Sequence, residues 1–150
     1  MRVNHPYGSK ERLLEMFRKV GGMTINEEVL GDDKREMVIE DFIMFACSHL
    51  GIDPNKANVE ISYDPTEAAG MRSFGKQTPS SGEIRVVAVN RNLADVLRTL
   101  AHELVHRKQQ LEDRLYPGAG EDGSDLENEA NAKAAVIMRK YGAANPIIFE

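Results

Sequence analysis

The sequence predicts an α+β domain in which two helices precede a small antiparallel or mixed sheet and two more helices follow it. Three observations carry that prediction. Apolar residues recur at helical spacing in residues 10–20 and 33–50. The period drops to two at 58–64, and a second β-prone run follows at 84–89. Helical spacing then returns in two long stretches, 93–111 and 124–141. The 150 residues suit one domain, 1–150, and 41% hydrophobic with 29% charged residues is a globular balance.

Ser9 precedes the first helical pattern, Lys10 to Val20, in which Leu13, Leu14, Phe17 and Val20 are apolar; Gly21-Gly22 ends it. Residues 23–32 read as a linker. Asp32 or Asp33 can cap the second helix, whose apolar positions run from Val38 to Leu50 before Gly51 stops it. Val59, Ile61 and Tyr63 alternate with Glu60 and Ser62, the pattern of a half-buried strand. Met71 to Gln77 is a weaker strand candidate, Thr78 to Gly82 is turn chemistry, and Ile84 to Val89 is strongly β-prone. Asn92 can cap a helix from Leu93 to about Leu111, and a Gly/Pro-containing loop, 117–123, leads to the last helix.

A lone cysteine, Cys47, excludes an intramolecular disulfide and any multi-cysteine zinc knuckle, as expected in a reducing compartment. It reads as a small buried hydrophobe. No apolar run approaches the roughly 18 residues of a membrane span, and Met1-Arg2-Val3-Asn4-His5-Pro6 carries no signal-peptide pattern. An intracellular, cytoplasmic protein without a membrane partner is expected. The net charge of -5 gives no basic surface for nucleic acid. Residues 112–129 hold seven acids against Arg114 alone and read as a solvated acidic loop.

Chemistry enters with His102-Glu103-Leu104-Val105-His106. Two histidines four apart on a helix point the same way, so both imidazoles can reach one zinc ion. Glu103 can then take a proton from a water that the ion activates. At about 100° per residue, Leu93, Val96, Leu97, Leu100, Ala101, Leu104 and Leu111 form one stripe, and the histidines lie roughly 160° from its centre.

A zinc enzyme needs a third protein ligand. His5 stands in the N-terminal segment, and His49 reads as a core or helix-end residue. The last helix offers better. Its inward face is Leu126, Ala130, Ala134, Ile137, Met138 and Tyr141; Glu127 lies about 40° from that centre and Glu129 about 120°. Glu127 is therefore expected to look inward, Glu129 toward solvent. Asn131, one turn after Glu127, can orient a ligand. Ser124-x-x-Glu127 is also a capping box, in which Glu127 would bond back to the helix start.

The HExxH motif, followed some twenty residues later by Glu127-Asn128-Glu129-Ala130-Asn131, resembles the gluzincin metallopeptidases. Most similar are the small ImmA/IrrE-type proteins of bacteria and mobile elements, with the pattern HE-[LI]-x-H, then E-x-E-A-[ND]-x-F-A. The resemblance covers residues 84 to 141 at most; Val105 replaces a small residue and Lys133 a phenylalanine. It implies a zincin-like core over 58–141 behind N-terminal helices at 1–51. It further implies Zn2+ held by His102, His106 and Glu127, Glu103 as general base, and Asn131 supporting a bound histidine. The implied activity is peptide hydrolysis, of a limited or regulatory kind, on a protein or peptide substrate. A phage-encoded metallopeptidase fits the same pattern. Strand Ile84 to Asn90 would be the sheet edge on which an extended peptide could add.

Tyr116, Tyr141 and Arg107 are candidates, on position alone, to hold the oxyanion of such a reaction. Peptide deformylases also carry HExxH but take a cysteine ligand from a Glu-Gly-Cys segment, and Cys47 sits in Phe45-Ala46-Cys47-Ser48. A non-catalytic structural or regulatory protein with a vestigial or structural zinc site is the alternative; the intact Glu103 argues against it. The apolar tail, 145–150, is expected to dock on the body.

Overall fold

Ser9 opens the first helix as its residue type predicts: its hydroxyl accepts from the Arg12 N–H at 3.2 Å and donates to the Pro6 carbonyl at 2.8 Å. In this computed structural model the described residues are 5–18, 32–70, 74–78 and 81–149. The elements in chain order are α1 (Lys10–Arg18), α2 (Asp32–Leu50), β1 (Asn58–Ser62), α3 (Pro65–Gly70), β2 (Gly75–Thr78), β3 (Glu83–Val87), α4 (Leu93–Leu111) and α5 (Asp125–Ala144). Short 3-10 turns stand at Pro54–Lys56 and Pro146–Phe149. The Gly21-Gly22 stop, the linker up to residue 31 and the strand residues 71–73 lie outside the described residues.

The architecture is α+β, with a three-stranded mixed sheet ordered β1-β3-β2. β1 runs parallel to β3, with Asn58 opposite Glu83 and Ser62 opposite Val87; β2 runs antiparallel, with Gly75 opposite Val86. This corrects one expectation. The β3 segment is the central strand, and β2 is the edge strand beside α4. Burial explains it: Ile84, Val86 and Val87 are fully buried, as an apolar strand flanked on both sides should be.

Three local readings also change. Asp64-Pro65 opens the short helix α3, where a strand end was expected; the Asp64 carboxylate accepts from the Thr66 N–H at 2.9 Å, with Pro65 at the first helical position. α2 already includes Asp32 and Asp33. Asn92 takes the extended cap conformation before α4 but makes no side-chain cap bond. Gly51 ends α2 as expected: at φ 73 it lets the Ile52 N–H reach the Cys47 carbonyl at 2.9 Å.

One cluster of buried side chains runs from Leu13 and Phe17 through Val38, Phe42 and Cys47 to Leu97, Leu100, Leu104, Ile137 and Ile148. α4 buries one face against α2 and the sheet and another against α5. Ile147 and Ile148 are buried, so the tail docks on the body. No helix among the described residues is long and apolar enough to cross a membrane.

Candidate metal centre

The α4 face turned toward α5 carries His102 and His106, one helical turn apart, with their rings 4.7 Å between centroids. Their Nε2 atoms lie 3.2 Å apart. From α5, the Glu127 carboxylate reaches both: Oε1 is 3.0 Å from His102 Nε2 and Oε2 is 2.8 Å from His106 Nε2. Among the described residues, these three form a group of donors that could hold one metal ion.

Ser124 explains how a first-turn glutamate comes to point across to another helix. Its hydroxyl accepts the Glu127 N–H at 3.1 Å and donates to the Ala119 carbonyl. Half of the capping box is therefore formed, and the carboxylate takes the histidines in place of the helix start.

Each histidine has a polar side chain behind it. Asn131, one turn after Glu127, lies beside His102 at the cleft. Behind His106 stands Gln109, which was not foreseen: its Oε1 lies 2.8 Å from His106 Nδ1. The Gln109 amide nitrogen donates to the Leu126 carbonyl at 2.9 Å and to Glu129 Oε1 at 3.1 Å. Glu129 is not the solvent-facing residue expected. It takes a two-pronged ion pair from Arg114 at 2.9 and 2.8 Å, and that guanidinium holds its carboxyl at about 2.

Glu103 is buried, 8% exposed, beside this group. Burial raises its carboxyl to about 7, the nearby His106 working against the shift and Glu127 adding to it. Burial also lowers His102 from the ordinary histidine value, more than Glu127 restores. The site opens into a cleft of about 700 Å3 walled by Phe74, Gly75 and Lys76 at the start of β2 and by residues 115–122 opposite. Arg91 braces the β2 wall: its guanidinium lies 4.2 Å from the Phe74 ring centroid and donates to Val87 O and Thr99 Oγ1.

The other candidates separate. Tyr116 lines the cleft, half exposed. Tyr141 is fully buried, its hydroxyl donating to Asp41 at 2.8 Å. Arg107 donates to the Lys56 carbonyl at 2.7 Å and to Gln110, away from the cleft. His49 is exposed at the end of α2, its ring beside Phe45, and belongs to neither the core nor this site. Cys47 is fully buried, and burial pushes its thiol up to about 11.

Comparison with protein-family models, with curated proteins and with solved structures gives no match for this chain.

Proposed function

We propose that the chain is a zinc-dependent metallopeptidase of zincin-like organisation. The observation that carries this reading is the donor group beside a buried glutamate: His102 Nε2 and His106 Nε2 lie 3.2 Å apart, with one Glu127 oxygen 3.0 Å from the first and the other 2.8 Å from the second. Tetrahedral zinc with bonds of 2.0–2.2 Å needs its donors about 3.3 Å apart. Two imidazoles and one carboxylate on a cleft wall, with one side facing open space, match a hydrolytic zinc site in ligand type and number.

Held there, zinc supplies Lewis acidity that activates water and polarises a carbonyl. The protein's own residues do the rest. Glu103 lies on the cleft side of the donor group and accepts the proton of the attacking water; its raised carboxyl suits a base that must later return that proton to the leaving amine. An extended peptide would run along β2, the strand that borders the cleft, and Tyr116 on the opposite rim would hold the oxyanion. The substrate class is a peptide or protein segment.

Metal content per chain, measured with zinc available, tests the site. Wild type is expected to hold about one zinc, Glu127→Ala to lose it, and Glu129→Ala to keep it at saturating zinc. Peptide-library cleavage then tests the activity, with Glu103→Gln expected to keep the metal and lose turnover. An empty wild-type protein, under conditions that fill a known zinc peptidase, would end this reading.

A further inference from the structure

We infer that Gln109, steered by Leu126 and the Glu129–Arg114 ion pair, keeps a proton on His106 Nδ1 and so turns the ring's other nitrogen, Nε2, to the candidate metal centre. Gln109 is thus a positioning residue for the candidate metal centre. This rests on the metallopeptidase reading only for its consequence in metal affinity; the orientation stands on its own contacts.

An amide can present either its oxygen or its nitrogen to a ring nitrogen, and the choice decides the tautomer. Gln109 is fully buried, so its amide answers to its neighbours and not to water. The groups at its far end are a carbonyl, from Leu126, and a carboxylate, from Glu129, both of which only accept. The NH2 group must therefore turn to them, and the oxygen must turn to His106. That oxygen can only accept, so the His106 proton sits on Nδ1. Nε2 is the ring nitrogen left to face Glu127, at 2.8 Å, and His102, at 3.2 Å.

Arg114 extends the arrangement to the surface. It lies just past the end of α4, two residues before Tyr116 on the cleft rim, and its ion pair with Glu129 ties that loop to α5. It also satisfies the Glu129 charge, which keeps that carboxylate ionised and an acceptor for Gln109. The same contact therefore places the cleft rim and fixes which way the buried amide points.

The test combines imidazole 15N NMR of the metal-free protein with zinc affinity by chelator competition. Wild-type His106 should show a proton on Nδ1, hydrogen-bonded to the Gln109 oxygen. Gln109→Leu fills the same buried space without a hydrogen-bond acceptor, so it should release the His106 Nδ1 proton from its partner and weaken zinc binding by roughly tenfold or more. Glu129→Ala, at a partly exposed position, should weaken it a few-fold, and Glu129→Gln should restore most of that, since its amide oxygen still accepts. Should Gln109→Leu not fold, the Glu129 pair carries the test. A wild-type His106 without a proton on Nδ1, or affinities within twofold of wild type in both Gln109→Leu and Glu129→Ala, would overturn the inference. A correct tautomer in a wild-type protein that takes up no zinc supports the orientation and counts against the metallopeptidase reading alone.

Discussion

Gly75 on β2 stands directly against Glu103 on α4. A methyl group at position 75 would lie 3.0 Å from Glu103 Cγ, 3.1 Å from its Oε1 and 2.5 Å from Thr99 Cγ2. The missing side chain is what lets the edge strand close over the proposed base. Gly75→Ala is expected to cost about 1–3 kcal/mol of stability by overpacking and to lower peptide hydrolysis at least tenfold while leaving zinc content intact. Urea denaturation of Gly75→Ala and of Gly75→Ala with Thr99→Ser checks the cause. The double variant lacks the Thr99 methyl and should recover part of the stability; no recovery would place the strain elsewhere.

The raised carboxyl of Glu103 gives a pH signature. A carboxyl lifted to about 7 by burial favours its neutral form in the folded chain. Its contribution to stability is present below the unfolded value near 4.5 and lost as the pH rises through about 7. The metal-free protein should therefore lose stability across that window, by at most about 1.4 kcal/mol per pH unit from this group. Glu103→Gln, permanently neutral, should flatten the slope. Denaturant titrations at pH 5 and pH 8 on both proteins read it; equal slopes would mean Glu103 titrates normally.

Tyr141 was a candidate to hold an oxyanion, and its contacts assign it to the core instead. Its hydroxyl donates to Asp41, which also receives the Gly8 N–H, while Asn145 donates to the Gly8 carbonyl. Burial raises Asp41 against these bonds. Tyr141→Phe removes one of them and should raise Asp41 further. The expected loss of about 1–3 kcal/mol is greatest where Asp41 is charged and shrinks as falling pH protonates it. Hydrolysis by the folded variant should be unchanged; a loss of turnover without a loss of stability would return Tyr141 to the chemistry.

The parts of the site that were legible in the sequence are those set by one helix. The i, i+4 spacing brings His102 and His106 together, and the wheel of α5 turns Glu127 inward, because the helical period needs no knowledge of the neighbours. Glu129 was misjudged because the same wheel ignores the chain before α5: Arg114 folds back onto that face and makes it a contact. Gln109 carried a signal that went unused, a polar residue three after a histidine on a helix otherwise packed. Strand order was the least legible. Which strand becomes the edge depends on pairing between segments about twenty residues apart, and alternation within a strand does not encode it. The short helix α3 was announced by Asp64-Pro65, a cap followed by proline, yet six residues carry too little periodicity to stand out.

Ser124 and Glu127 share the start of α5 and are expected to fail differently. Ser124 accepts the Glu127 N–H, so Ser124→Ala should cost about 1 kcal/mol of stability while the protein still takes up zinc. Glu127→Gln leaves that backbone bond in place and keeps a side chain of the same shape. Its amide, however, brings no negative charge to a dication and offers a single oxygen donor, so zinc affinity should fall by far more than stability does. Thermal melts and chelator competition on the two variants separate the roles. If Ser124→Ala lost the metal and Glu127→Gln kept it, the carboxylate would be a helix cap that happens to lie near two histidines. The 2.8 and 3.0 Å approaches to both Nε2 atoms predict the opposite.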